Sequence, residues 1–525
     1  MEHNQFLFVT VESPTWLLYV SLLVIAVFFR FSRLISVRNL DLILVLLLST
    51  ALVVAAASKP TKVAASSTAN LQPIVETSEV PEKPASTLNE TTENDSAAAG
   101  TSENELIADK SSAALDTRSK VVAPPAADDN GVYRWTSIAV LSLSILLIIR
   151  LTFDESLTRR PRLEQNLNQA GLTFLFLPAF SILMTGVFIK EIPSKNVAAV
   201  VSGVALLEGQ ESAVSTDGQS KTPAATETML AAAAAKVAEL SGGNSLQTRS
   251  NTDKTPTEAF IARILVVIAH TTVVLGLLYI GRKHFCSMQL GIAMSCLYLL
   301  LPCTAYNVHE LSHVVPGACL TWAFASYRKP AVAGVLLGLA CGTLFFAIFL
   351  LPVWAVFYGR KGGLRFCVSL AAVAAVVLAT FALTSENTDS FVNKLVVTAN
   401  WTVFRLFDAA SPMPETTIGH MFLRITLAAS FFVMLVAMTV IPRKRNLENL
   451  LSNSTALIVA AQLWYPEDVG SYVLWYLPLL LLVVFRPRLD RFVPPEANNS
   501  STTSRLPEPQ KTQPAGTLSR VTLYN

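Results

Sequence analysis

The most constraining feature of this chain is a series of long apolar stretches separated by short polar or basic segments. The apolar core of a lipid bilayer is about 30 Å thick, and a helix needs about 20 apolar residues to cross it. Only 15% of the 525 residues are charged, which is low for a soluble protein of this length. The sequence therefore predicts an all-α, polytopic transmembrane helical bundle. Four of the clearest stretches are SPTWLLYVSLLVIAVFF, LDLILVLLLSTALVVAAA, TSIAVLSLSILLII and SYVLWYLPLLLLVVF.

Clusters of Lys and Arg beside the apolar stretches indicate which helix ends face the cytoplasm. Arg30, Arg33 and Arg38 place the first turn inside and the N-terminus outside. Alternating from there, about 11 spans fit the pattern, and the C-terminal tail is cytoplasmic. This is the topology expected of a multi-pass protein in a bacterial-type inner (plasma) membrane. The net charge of +3 does not indicate a nucleic-acid partner, and membrane lipids are the expected contacts.

Residues 330–358 form an apolar stretch with basic pairs at both ends, Arg328-Lys329 and Arg360-Lys361. A single straight helix would carry one of these pairs to the outer side. Two half-helices that meet near Gly342 keep both pairs inside. The sequence therefore predicts a bent half-helix pair in addition to the spans.

Polar segments rich in Ala, Ser and Thr separate the apolar stretches. Such segments bury too little apolar surface to offset the entropy of ordering, so they are predicted to be disordered. The predicted organisation, in chain order, is an N-terminal transmembrane hairpin (1–57), a disordered extracytoplasmic linker (58–132), a transmembrane hairpin (133–193), a disordered extracytoplasmic loop (194–256), a C-terminal transmembrane core (257–485) and a disordered cytoplasmic tail (486–525).

The string HELSH at residues 309–313 has the spacing of a zinc peptidase motif. On a continuous helix, His309 and His313 would share a face and bind one zinc ion, while Glu310 activates its water. Pro316 weakens this interpretation because it removes a backbone hydrogen bond of the same turn. A later Asp-Gly element that would supply a third ligand is also missing from the sequence. The alternative is a polar loop that caps the following helix.

His270 is predicted to lie within a span. An ionisable residue at mid-membrane is a candidate for function. The alternative is a neutral histidine that is hydrogen-bonded to a neighbouring helix.

Residues 297–366 carry a resemblance to a known group of enzymes. The stretch contains LYLLLP, then a polar outer loop, then HVVPGACLTWAFASYRKPAVAGVLLGLACGTLFFAIFLLPVWAVFYGRKGGLRF. It resembles the middle of the GT-C type glycosyltransferases that use polyprenyl-phosphate-linked sugars. The blocks RPRLEQNLNQAGL and WYPEDVGSYVLWYLPLLLLVVFRP further resemble an uncharacterised family of bacterial polytopic membrane proteins with the same core.

The resemblance implies a GT-C-like core that transfers a sugar at the outer face from a lipid-linked donor, with no cofactor required. In such an enzyme a carboxylate accepts the proton of the acceptor hydroxyl, and cationic side chains hold the lipid phosphate. The chain departs from the pattern because GLACGTLF lacks the lysine that many relatives carry there. Two alternatives stay open: a non-catalytic membrane scaffold or transporter, and an HExxH membrane metallopeptidase. The candidate catalytic carboxylates are Glu310, Asp408 and Asp468, and the candidate phosphate-binding residues are Arg263, Arg405 and Arg424.

Overall fold

The structure is a computed structural model of the whole chain. The residues that it describes are 14–58, 129–154, 165–208, 223–240, 254–343, 345–383, 385, 388, 391–392, 417–441, 445–464 and 472–487. The chain divides into two compact units. Residues 57–135 form the second unit, of which the structure describes residues 57–58 and the first turns of one helix. The first unit, residues 1–56 and 136–525, holds all the other described residues.

All regular structure in the described residues is helical. Five of the described helices are long and apolar enough to cross a membrane, and several shorter apolar helices accompany them. The chain is therefore an all-helical, multi-pass integral membrane protein. The helices are α1 (Pro14–Phe28), α2 (Val37–Ala57), α3 (Asp129–Thr152), α4 (Gln169–Ile189), α5 (Ser194–Glu208), α6 (Ala225–Leu240), α7 (Lys254–Lys283), α8 (Met288–Leu300), α9 (Pro302–Tyr306), α10 (Leu311–Ala325), α11 (Pro330–Cys341), α12 (Leu351–Leu383), α13 (Thr417–Val440), α14 (Leu447–Trp464) and α15 (Val473–Phe485).

The centre of the bundle is α10, which packs on α7, α11 and α15. Pro316 lies inside α10 and has no N–H to bond the carbonyl of Ser312, one turn earlier. The indole Nε1 of Trp475 on α15 donates to that carbonyl over 3.2 Å. A neighbouring helix thus supplies the hydrogen bond that the proline removes, as helix packing within a membrane requires.

Helices α10 and α15 approach each other closely at Gly317. A Cβ atom at this position would lie 2.6 Å from the carbonyl oxygen of Leu474. Because that oxygen belongs to the backbone, it cannot turn aside as the end of a side chain can. The absence of a side chain at Gly317 therefore allows the two helices to meet.

We predict that Gly317→Ala destabilises the protein by about 1–3 kcal/mol, because the methyl group overpacks the α10–α15 contact. Gly186→Ala on α4 is the matched control, since nothing lies within 4 Å of a Cβ there. The melting temperatures of both variants are measured by thermal unfolding in detergent. Equal melting temperatures for the two variants would contradict the close contact.

Residues 330–358 fold back on themselves. Helix α11 ends at Cys341, and a 3-10 turn at Phe345–Leu350 leads into α12. The hydroxyl of Tyr358 donates to the carbonyl of Tyr327 over 2.8 Å, so both ends of the segment lie together. Gly359 then takes a φ of 65°, a conformation that suits glycine, and α12 is kinked at this residue.

The structure differs from the prediction for residues 194–256, which the composition indicated to be disordered. Helices α5 and α6 occupy much of this segment and pack on each other and on α7. The composition misleads because small residues pack closely: a Cβ at Gly203 of α5 would lie 2.6 Å from the backbone nitrogen of Ala232 on α6. The predicted linker at 58–132 and tail at 486–525 lie almost entirely outside the described residues.

A buried network of charged side chains joins α2 and α3. The guanidinium of Arg150 donates two hydrogen bonds to Asp41, with its Nε at 2.6 Å from one carboxylate oxygen and an Nη at 2.8 Å from the other. The other Nη of Arg150 bonds Asp154 over 2.7 Å. All three side chains are buried, and sequence analysis did not single them out.

The same network continues to α14 and α15 through Asp154. Ser452 on α14 donates to Asp154 over 2.8 Å, and Arg486 at the end of α15 pairs with both Asp154 and Glu448. Four helices are thus held together at one end by charges that satisfy each other. A buried charge is tolerated only when it is paired and hydrogen-bonded in this way.

We predict that Arg150→Met destabilises the protein by about 3–5 kcal/mol, because it leaves the buried carboxylate of Asp41 without its partner. Adding Asp41→Leu should recover part of this loss, since the isolated charge is then gone. Thermal unfolding of the single and double variants measures the coupling. Additive losses in the double variant would contradict a direct pair.

Candidate functional site

The HELSH string straddles the start of α10. His309 lies before the helix, Glu310 is its N-cap with an extended backbone (φ −82°, ψ 93°), and the helix begins at Leu311. His309 and His313 therefore do not occupy one face of a continuous helix, which the zinc peptidase motif needs. Among the described residues, no group of three His, Cys, Asp or Glu side chains could hold a metal ion.

Charged residues from four parts of the chain lie around the start of α10. Electrostatic interactions link Glu227 in the first turn of α6 with Lys195 on α5 and with Glu310, and link His309 with Lys190 after α4. We call these five residues the α10 cluster. It brings two carboxyl groups, two ammonium groups and an imidazole to one end of the bundle.

Three hydrogen bonds hold the elements of the α10 cluster in place. The side-chain Nδ2 of Asn196 on α5 donates to the carbonyl of His309 over 2.6 Å. The ammonium of Lys190 donates to the carbonyl of Ala305 over 3.4 Å. On α6, the hydroxyl of Thr226 donates to the carbonyl of Leu339 over 2.8 Å, which ties α6 to the end of α11.

His270 anchors the same turn from inside the bundle. Its Nε2 lies 2.9 Å from the carbonyl of Val308, and its Nδ1 lies 3.0 Å from the hydroxyl of Tyr298. A carbonyl only accepts, so Nε2 carries the proton, and Nδ1 accepts from the phenol. His270 is thus a fully buried, hydrogen-bonded histidine that positions the residue before His309.

Glu227 is the most deeply buried carboxyl group of the α10 cluster, with no exposed surface. Burial raises the pKa of this carboxyl most, Lys195 and the backbone of Ala224 lower it, and Glu310 raises it further. Neither carboxylate oxygen has a hydrogen-bond partner of normal geometry among the described residues. The charged form of Glu227 is therefore costly.

His309 is neutral over a wide range of pH. Burial lowers its pKa to about 4, and the ammonium of Lys190 contributes in the same direction. Its Nε2 lies 3.6 Å from Glu310, which would favour the charged form, but the side chain is only 25% exposed and the burial outweighs this contact. His309 therefore contributes a neutral polar group beside Glu310.

Two more candidate residues, Arg263 and Arg424, lie in the described part of the chain. Arg263 lies on α7, and Arg424 lies on α13, which packs on α14 and α12. Asp408, Asp468 and Arg405 lie outside the described residues.

Glu227, Lys195 and Lys190 were not predicted from the sequence. The one available signal was the stretch TETMLAAAAAKVAEL, whose high helix propensity was compatible with an ordered α6.

No protein-family model matches the chain, and no curated protein matches its sequence. The class of protein is therefore defined by the structure itself. It is an all-helical integral membrane protein with a cluster of ionisable groups at the start of a central helix.

We predict that His309→Gln makes the protein less sensitive to acid. A histidine whose folded pKa is lowered contributes stability above its unfolded pKa of 6.5 and loses it as pH falls towards 4. Melting temperatures measured across this range should therefore fall more steeply for the wild type than for the variant. Parallel curves for the two proteins would contradict the lowered pKa.

Proposed function

We propose that the protein is a GT-C-like glycosyltransferase that takes a sugar from a lipid-linked donor at the outer face of the membrane. The observation that carries this proposal is the α10 cluster, in which the partly exposed Glu310 lies with Lys190 and Lys195 at one end of the bundle. The resemblance of residues 297–366 to the middle of such enzymes supports it, because that stretch contains the turn and α10. The positive clusters at the opposite helix ends favour the outer side for this end.

The transfer needs a base and a cationic site for the leaving group. The acceptor hydroxyl attacks the anomeric carbon, a new C–O bond forms, and the bond from that carbon to the phosphate oxygen breaks. The electron pair leaves with the polyprenyl phosphate, and the hydroxyl proton passes to a carboxylate. We assign the carboxylate to Glu310, and the stabilisation of the phosphate to Lys190 and Lys195.

The remaining candidates extend the same proposal. Arg263 and Arg424 are partly buried in apolar helices, and the Nε of each has no hydrogen-bond partner among the described residues. Guanidinium groups in a membrane-spanning helix are costly unless they face a polar group, and a lipid phosphate is one such group. Asp408, Asp468 and Arg405 stay candidates for the same chemistry.

A second candidate function is transport. The interrupted pair formed by α11 and the first part of α12 is the specific observation that favours it, because transporters bind their substrates at discontinuous helices. The metallopeptidase alternative has no comparable support, since the two histidines of its motif do not share a helix face.

We predict that Glu310→Gln slows release of polyprenyl phosphate by about 100-fold or more, because a positioned base contributes that much to proton transfer. The assay uses the purified protein in lipid nanodiscs with a radiolabelled polyprenyl-phosphate-linked sugar. Lys195→Gln should lower kcat with a smaller effect on KM, because the negative charge that Lys195 stabilises grows on the phosphate as the bond to the sugar breaks.

Lys236→Gln is the matched control, because this exposed lysine on α6 pairs only with Glu239 in the described contacts. Lys236→Gln should release polyprenyl phosphate at the wild-type rate. Equal rates for wild type and Glu310→Gln would refute the assignment of the base. Uptake of a solute into proteoliposomes, with no sugar transfer by the wild type, would favour the transporter instead.

A further inference from the structure

We propose that Glu227 and Asn196 bind a monovalent metal cation of sodium size beside the end of α11. This site is separate from the transfer chemistry assigned to Glu310, and it does not depend on that function. It rests on buried oxygen atoms that have no hydrogen-bond partner of normal geometry among the described residues, and on the nearby end of α11.

The acceptors are fully buried. Glu227 and Asn196 have no exposed surface, and Glu227 Oε1, Glu227 Oε2 and Asn196 Oδ1 have no hydrogen-bond partner among the described residues. The amide of Asn196 is oriented by its Nδ2, which donates to the carbonyl of His309, so Oδ1 is directed away from that carbonyl. Oxygen acceptors buried in this way need a donor or a cation.

Two short stretches of chain, Lys195-Asn196 and His309-Glu310, connect Glu227 with Asn196. Glu227 interacts electrostatically with Lys195 and with Glu310. Asn196 follows Lys195 directly and bonds to His309, the residue before Glu310. Glu227 and Asn196 are thus both linked to the start of α5 and to the turn before α10.

The end of α11 adds negative potential at this place. The helix stops at Cys341, and the carbonyls of Leu339 and Gly342 accept hydrogen bonds from the side chain and backbone of Thr226, the neighbour of Glu227. The C-terminal end of a helix carries a partial negative charge that favours a cation. Discontinuous helices in membrane proteins use such ends to bind sodium ions.

The chemistry of the donors selects the class of cation. Zinc prefers nitrogen and sulfur ligands, and calcium takes six to eight oxygens, usually from several carboxylates. Magnesium keeps several bound waters, and a site made by two fully buried side chains is poorly accessible to water. The site offers one carboxylate oxygen donor and one amide oxygen donor, and Lys195 already supplies a positive charge nearby. A cation with a single charge therefore fits the site best.

Lys195 is the alternative partner of Glu227, since its ammonium interacts with the carboxylate. If Lys195 alone compensated Glu227, added cations would not change the stability of the protein. The two possibilities therefore differ in one measurable property, the dependence of stability on the identity of the salt.

The test measures thermal unfolding of the full-length protein in detergent at constant ionic strength, with sodium chloride replacing N-methylglucamine chloride. We expect a saturable rise in melting temperature of about 2–6 °C for the wild type, because a ligand that binds only the folded state stabilises it. Potassium should give a smaller rise. Binding of radioactive sodium to the purified protein provides a second readout.

Glu227→Gln and Asn196→Ala should each lose the sodium-dependent rise and the bound sodium. Glu239→Gln is the matched control, because it removes an exposed carboxylate from the same helix, and it should respond like the wild type. If Glu227→Gln fails to fold, Asn196→Ala and the direct binding measurement still decide. A wild type that binds no sodium and melts at the same temperature in both salts overturns the proposal.

Discussion

The absence of water from the bilayer core is the constraint on which the rest of this structure depends. Every polar group within the bundle must find its partner in the protein, because lipid offers none. The carbonyl that Pro316 leaves without a partner bonds Trp475, and the carbonyl of Val308 bonds His270. These bonds come from helices far apart in the sequence, so they also determine which helices are neighbours.

The same constraint accounts for the two ends of the bundle. At one end, Asp41, Arg150, Asp154 and Arg486 compensate each other almost completely, which makes that end a rigid junction of four helices. At the other end, the compensation is incomplete, because the buried carboxylate of Glu227 has no hydrogen bond of normal geometry from the described residues. Incomplete compensation at a buried charge is costly for stability, and such a cost is typical of binding and catalytic sites.

The two proposals place different demands on neighbouring residues. Sugar transfer requires Glu310 to be open to substrate, and its side chain is 26% exposed. Cation binding requires Glu227 to be closed to water, and its side chain is fully buried. A bound cation near Glu227 would also hold α6 against the end of α11, which stabilises the surroundings of the turn that carries Glu310.

Much of the helical pattern could be predicted from the sequence, because hydrophobicity and length are local properties. The apolar stretches became helices, and the fold-back near Gly342 follows from the basic residues at both of its ends. The α10 cluster could not be predicted, since Lys190, Glu227 and Glu310 are separated by long stretches of chain. Helix α5 escaped prediction, and α6 was indicated only by the helix propensity of TETMLAAAAAKVAEL, because both are ordered by close packing of small residues, which composition does not reveal.

The sequence by itself determined that this is a helical membrane protein, since the transfer of apolar residues into lipid depends on each segment alone. Pro316 did not decide the fate of the HELSH string, because it lies inside α10, and the string is divided because the helix begins only at Leu311. Only the tertiary structure decided which charges meet. Pairing between Asp41 and Arg150, or between Glu227 and the turn before α10, depends on distances that arise when separate helices pack together.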